Sequence, residues 1–415
     1  MKTTNELRRQ AAIFPIWLAC FYLAWLLLVM IGDFGSLVRD NWGIAAAMAA
    51  GSYVAGSTPM GGGTVGFPVL VLIFDQSGAM GRDFAFAIQS IGMVSASVFI
   101  LTRPKIDQCK AGSRAKSRSL DDWTSDENHR EQRGSAQGLG NTKRAQNDND
   151  SSPPALDLLS HDAPQSSPET VHTFDSVDCS NQLEWELIRP AMLGSLISTP
   201  LGILWLAPRL PDLSVKLIFA VIWASFGLMH LVKLREFVLY SGGRTRWDSR
   251  RVEIGFAVGV LGGLISSITG VGIDMILYAT MVLLFQADLK VSTPSSVIVM
   301  AFTSVVGITW TIFLHWWQPL EFPIDPAVFP SWLAAAPVVA VGAPIGAWAV
   351  QKLPRVPTLI LISLLCLAQF IWTLLQERVD AFGCVIALGS VLLMNLGFHF
   401  LYRLGKKTNR YAPPA

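Results

Sequence analysis

Charge is what this chain lacks. Lys, Arg, Asp and Glu make up 15% of its 415 residues, against about 25% in a soluble domain. The shortage is concentrated. Residues 13–31, 84–101, 191–207, 217–232, 291–314, 327–350, 356–376 and 381–402 carry none of the four. Each run is near the ~20 apolar residues that cross a bilayer, so a soluble globular fold is excluded. Cysteine is scarce too. Cys20, Cys109, Cys179, Cys366 and Cys384 are odd in number and form no C-x-x-C, so no disulfide framework or zinc site follows from them. The apolar runs hold no H-E-x-x-H and no paired carboxylates. They offer no nucleophile–base or metal centre, so no enzyme and no cofactor are expected. A net charge of +2 gives nucleic acid no footing. No A-x-A-like cleavage site follows the first apolar run closely, so it is expected to stay as a span.

What is present is an all-α polytopic pattern. Eight runs read as full crossings. Two more regions, 43–74 and 252–285, are apolar but broken by glycines. If each enters and leaves on one side as a helical hairpin, eight crossings put both termini on the same side. That side gathers Lys2, Arg8, Arg9, the basic run Arg103 to Arg118, Arg189, Lys233 to Arg251, Lys290, Lys352, Arg355 and Arg403 to Arg410. The other side has Arg39, Arg82, Arg209, Lys216 and Arg378. The positive-inside rule makes the rich side cytoplasmic, in a plasma (inner) membrane. A single crossing per broken region would split the basic clusters between the two sides.

The chain divides accordingly. Residues 1–102 form a span, hairpin one and a second span. Residues 103–185 are rich in Ser, Asp, Asn, Gln and Pro. They bury too little apolar surface to offset the entropy of ordering and are expected to be a disordered cytoplasmic linker. Its basic start suits either a spacer or a lipid-surface contact. Residues 186–251 add two spans, 252–403 form a second membrane repeat with hairpin two, and 404–415 form a cytoplasmic tail.

The second half echoes the first. PMGGGTVGFPVLVLIF (59–74) pairs with ITGVGIDMILYATMVLLF (268–285). AIQSIGM (87–93) pairs with STPSSVIVM (292–300). Pro200, Gly202 and Pro211 pair with Pro344, Gly346 and Pro354. Paired elements run in opposite directions in this topology, which is the inverted repeat of many secondary transporters.

The segment Thr64–Phe74 spans roughly 16 Å as a helix, about half the hydrocarbon core. Its N-terminus near Gly63 then lies close to the midplane, with unpaired N–H groups and partial positive charge. Such an end suits an anion. Candidate substrate-binding residues are Gly61, Gly62, Gly63 and Thr64, then Gln89 and Ser90. The second repeat adds Gly270, Gly272, Thr293, Ser295 and Ser296. Neutral donors hold a small oxyanion without the trapping of a buried Lys or Arg. The alternative for the glycines is close helix packing, which suits Gly255, Gly259 and Gly263 better than the Gly61–Gly63 triplet.

GGGTVGFPVL at 61–70, with its weaker counterpart at 270–285, resembles the G-G-G-x-x-x-x-P-x-L signature of the TauE/SafE sulfite exporter family. The resemblance covers residues 13–102 and 187–403. It implies secondary transport of small anions such as sulfite, thiosulfate or organosulfonates, and matches Gly61, Gly62, Gly63 and Pro68. Two departures stand out. Gln89-Ser90 and Ser295-Ser296 stand near the places where a Thr-Ser pair is usual. Neither hairpin has the cysteine that thiosulfate uptake uses.

Asp274 is the one charge between Glu253 and Asp288. At membrane depth an ionisable group is a functional candidate. It fits a helix cap, a proton carrier, or a ligand for a cation that moves with the anion. His230 reads as a satisfied or interface-facing histidine, and His315 with Trp316 and Trp317 as an interfacial anchor. The expected partners are a small anion, the bilayer, and protons or a coupling cation. A channel with similar hairpins is the alternative. Oligomeric state is open.

Overall fold

A backbone in hydrocarbon must satisfy its own polar groups, so the uncharged runs become helices. The computed structural model describes residues 4–58, 63–102, 183–234, 250–349 and 355–409. No strand occurs among them. In chain order the helices are α1 (Thr4–Ile31), α2 (Gly35–Asp40), α3 (Trp42–Ser57), α4 (Gly63–Pro68), α5 (Gly78–Thr102), α6 (Trp185–Leu201), α7 (Asp212–Val232), α8 (Arg251–Thr269), α9 (Ile273–Ala279), α10 (Leu289–Trp317), α11 (Val328–Ala349), α12 (Arg355–Gln376) and α13 (Ala381–Asn409). Most of the expected linker, residues 103–182, lies outside the described residues, as do the last residues of the tail. The start of that tail is helical and packed: a Cβ on Gly405 would overlap the Leu283 carbonyl.

Among the described residues nine helices are long and apolar enough to cross a membrane, one more than the uncharged runs suggest. The extra one is α8. Its 19 residues reach ~28 Å. Yet the chain does not leave on the far side. Gly270 takes φ +77° and Gly272 φ +125°, a left-handed geometry that glycine adopts without penalty. The chain then turns back into α9. The Arg251 guanidinium, at the start of α8, lies over the Phe285 ring at the end of the returning helix. Both feet of hairpin two therefore stand on one face. Hairpin one, α3 followed by α4, closes the same way: the Cβ position of Gly43 is 3.9 Å from the Phe74 ring.

The two hairpins share one pattern. Each returning helix finishes in five residues of π-helix, Val69–Ile73 and Thr280–Leu284. Each reaches a phenylalanine, Phe74 or Phe285, followed by a residue at φ +51°, Asp75 or Gln286. Each then makes the same backbone hydrogen bond, Gln76 N–H to Leu70 O and Ala287 N–H to Met281 O, both 3.0 Å.

Direction follows from contact register. On α5 and α10, Phe86 meets Gly307 and Gln89 meets Ser304. Rising numbers on one helix face falling numbers on the other, so these repeat partners are antiparallel. The same holds for α7 and α12, where Lys216 meets Glu377 and Gly227 meets Cys366. The repeats are inverted and the hairpins open to opposite faces.

Each hairpin packs on the other half. α3 lies along α11 and α8 along α6. Glycine makes this possible. A Cβ on Gly56 would overlap the Ala343 carbonyl, and one on Gly259 the Ala191 carbonyl. Small residues let membrane helices approach, the packing role expected of Gly255, Gly259 and Gly263. Helix α1 runs antiparallel to α5 and α11, held by Trp17 Nε1–H to Ser95 Oγ (2.9 Å) and Tyr22 O–H to Pro337 O (2.6 Å).

Candidate anion site

The half-helix of hairpin two shows how its N-terminus is satisfied. Helix α9 starts partway along α8, with a Cβ on Gly262 falling 2.8 Å from the Ile273 Cα. The Ile273 N–H donates to Ser266 Oγ (3.2 Å). The Gly272 and Met275 N–H groups donate to Asp274 Oδ1, at 3.2 and 3.0 Å. Asp274 is completely buried, and its Oδ2 has no hydrogen-bond partner among the described residues. Its carboxylate therefore caps the positive end of its own helix. In chemical terms, backbone N–H groups at this helix end hold a carboxyl oxygen.

Hairpin one differs at the matching place. Pairing Thr58–Gly63 with Thr269–Asp274 sets Gly61 against Gly272 and Gly63 against Asp274. Gly61 and Gly62 lie outside the described residues, and the Thr64 side chain is not described. Helix α4 starts at Gly63, with the Val65 Cβ 2.9 Å from a Cβ built on Gly51, midway along α3. Where hairpin two brings its own carboxylate, hairpin one has a glycine.

The polar residues at the heads of α5 and α10 do not all meet. Gln89 is 1% exposed. Its Oε1 accepts from Ser304 Oγ (3.2 Å), and its Nε2 has no partner among the described residues. Ser90 is half-buried and donates to Ala87 O (2.7 Å). Ser295 and Ser296 are fully buried and donate to Val291 O and Thr293 O; Thr293 is buried beside them. Ser295 Oγ also accepts from the Glu184 N–H (3.5 Å), and Glu184 pairs with Arg251. That places the serines near the feet of hairpin two. Antiparallel crossing sets Gln89 against Ser304 in mid-helix instead.

Beside Gln89 is a cavity of about 10 Å³, also lined by Ser52, Ala55, Gly92, Val339 and Ala343, room for about one water. It lies behind the tip of hairpin one, since Ala55 is one turn from the end of α3. Ser304, Ser52 and Val339 carry no sequence signal of their own; packing brings them here. Trp223 is another such residue. It is fully buried, its Nε1 lacks a partner among the described residues, and it stacks on Phe219, which stacks on Phe67 of α4. His230 is buried between Phe226 O (2.9 Å) and the Tyr278 hydroxyl (3.3 Å) of α9. His315 bonds Phe322 O, beside exposed Trp316 and Trp317.

Inverted halves and two re-entrant half-helices are the framework of many secondary transporters. The family model Sulfite exporter TauE/SafE matches residues 179–372. The matched segment, a little under half of the chain, is similar to the TauE/SafE family. It spans hairpin two and its neighbours, so the Gly61–Leu70 motif lies before it. No curated protein and no solved structure matches the chain. The protein is a multi-pass membrane protein whose residues 179–372 match a family model named for sulfite export.

Proposed function

We propose that this protein is a secondary transporter of small sulfur oxyanions or organosulfonates. The anion binds at the half-helix N-terminus of hairpin one, near Gly61, Gly62, Gly63 and Thr64. The observation that carries this reading is the register of Asp274 with Gly63. Hairpin two supports it, because there backbone N–H groups hold the chain's own Asp274 Oδ1. Hairpin one keeps the same glycine break and half-helix but supplies no carboxylate at that position. In this reading the transported anion takes the place that the Asp274 carboxyl takes in hairpin two.

Asp274 is also the proposed coupling group. Its unpartnered Oδ2 accepts a proton, which lessens repulsion toward a nearby anion and links the two binding events. Both termini and residues 103–185 are assigned to the cytoplasm of the plasma (inner) membrane, on the basic side.

Flux into proteoliposomes tests the reading. Sulfite and simple sulfonates are expected to show saturable uptake that depends on a pH gradient. Flux that rises linearly with concentration and ignores pH would favour a channel instead.

A further inference from the structure

Helix α13 ends in positive charge. It contains no Asp or Glu and carries Arg403 and Lys406 near its end. Tyr402 organises the cations around it. The Lys233 ammonium, just past the end of α7, lies 3.7 Å from the centroid of the Tyr402 ring, and the Lys406 ammonium lies 5.8 Å from the same centroid. An aromatic face attracts each cation, but like charges gathered at one ring repel each other. Tyr402 is buried, so packing holds the ring in place. Arg403 and Lys406 are exposed, and neither pairs with a carboxylate among the described residues. The acids at the foot of hairpin two have other partners: Glu184 pairs with Arg251, and Asp288 accepts from the Lys290 N–H.

These cations stand at the end of an apolar row. Leu392, Leu396 and Phe400 are exposed, and their spacing puts them on one face of α13. Arg403, nearly one turn beyond Phe400, continues that face. From Leu392 to Arg403 the helix rises ~16 Å, about the depth of one leaflet. A phospholipid has this layout, with acyl chains beside the apolar row and a phosphate among the cations. The same end of α13 also bears on hairpin two. A Cβ on Gly405, the neighbour of Lys406, would overlap the Leu283 and Leu284 carbonyls. Those residues close the π-helical end of the returning arm.

We infer that Lys233, Tyr402, Arg403 and Lys406 form a binding site for the headgroup of an anionic phospholipid. The phosphate offsets the repulsion between the ammonium groups that share the Tyr402 ring. The acyl chains lie along Leu392, Leu396 and Phe400. Bound there, the lipid braces α13 against the foot of hairpin two. The site does not depend on which solute the protein carries.

The test is thermal unfolding of the intact protein in detergent micelles that contain either phosphatidylglycerol or an equal content of phosphatidylcholine. Phosphatidylglycerol is expected to raise the wild-type midpoint by about 3–5 °C over phosphatidylcholine. Arg403→Gln and Lys406→Gln change exposed residues and should keep the wild-type midpoint in phosphatidylcholine. Each should lose at least about half of the phosphatidylglycerol gain. Arg189 is an exposed cation near the start of α6, where Glu184 pairs with Arg251 at the foot of hairpin two. Arg189→Gln should keep the gain. Equal wild-type midpoints in the two lipids overturn the site. So does an equal loss from Arg189→Gln, which marks a general attraction of basic surface to anionic lipid. If soluble glycerol phosphate reproduces the gain in phosphatidylcholine, a lipid is not the occupant and the proposal falls. Size-exclusion chromatography supplies the last arm. A dimer that either glutamine variant splits puts a second copy on this face and overturns the proposal too.

Discussion

The guanidinium of Arg251 lies 5.2 Å from the ring centroid of Phe285. These residues begin and end hairpin two, so their contact fixes where that segment leaves. A 19-residue helix that would otherwise count as a crossing is one arm of a re-entrant loop. Hairpin one repeats the relationship from the opposite face through Gly43 and Phe74.

That topology predicts a labelling pattern. In a background without native cysteines, Ala287→Cys and Lys406→Cys should react with an impermeant maleimide from one side. Pro319→Cys should react from the other. Ala287 and Pro319 labelled from the same side would contradict the hairpin.

Asp274 caps a helix from a fully buried position. Asp274→Ala leaves those N–H groups without an acceptor and should lower stability by ~1–2 kcal/mol. Asp274→Asn retains an acceptor and should lose less. Thermal unfolding in detergent checks this order. If Asp274 couples protons, Asp274→Asn should also flatten the pH dependence of uptake; a wild-type pH profile in that variant argues against coupling.

Gly56 faces the Ala343 carbonyl so closely that a Cβ would overlap it. Backbone cannot yield as a side chain can. Gly56→Val should therefore abolish recovery of folded protein, whereas Gly389→Ala, with nothing within 4 Å, should be tolerated. Size-exclusion profiles after expression distinguish them.

Lys216 bonds Asp212 Oδ2 (2.9 Å) and Glu377 Oε1 (2.8 Å), while Asp212 accepts from the Gly78 N–H. The group joins the starts of α5 and α7 to the end of α12. Lys216→Met leaves Glu377, largely buried, without its cation. Its partners are partly solvated, so a loss of about 1–2 kcal/mol is expected, read as a lowered unfolding temperature.

Much of this framework was legible in the sequence because glycine breaks and missing charge leave marks in composition. Gly270 and Gly272 announce the turn, and Phe74 and Phe285 mark matched helix ends. Asp274 stands out as a lone charge. The small cavity beside Gln89 was not legible. Val339, Gly92 and Ser52 are ordinary small residues, and only the packing of α3, α5 and α11 brings them together. Ser295 and Ser296 carried the opposite risk. Their hydroxyls look like site residues, yet they bond their own helix backbone near the feet of hairpin two. Gln89 finds Ser304 because the halves are antiparallel, a relation no local pattern contains.

The most direct test places a carboxylate at Gly63, in register with Asp274. Sulfite uptake is measured for Gly63→Asp and for Gly63→Ala, each shown to be folded. If the hairpin-one half-helix receives the anion, the new carboxylate should occupy it, and Gly63→Asp should fall at least about tenfold below Gly63→Ala. Equal uptake by the two variants would contradict the account.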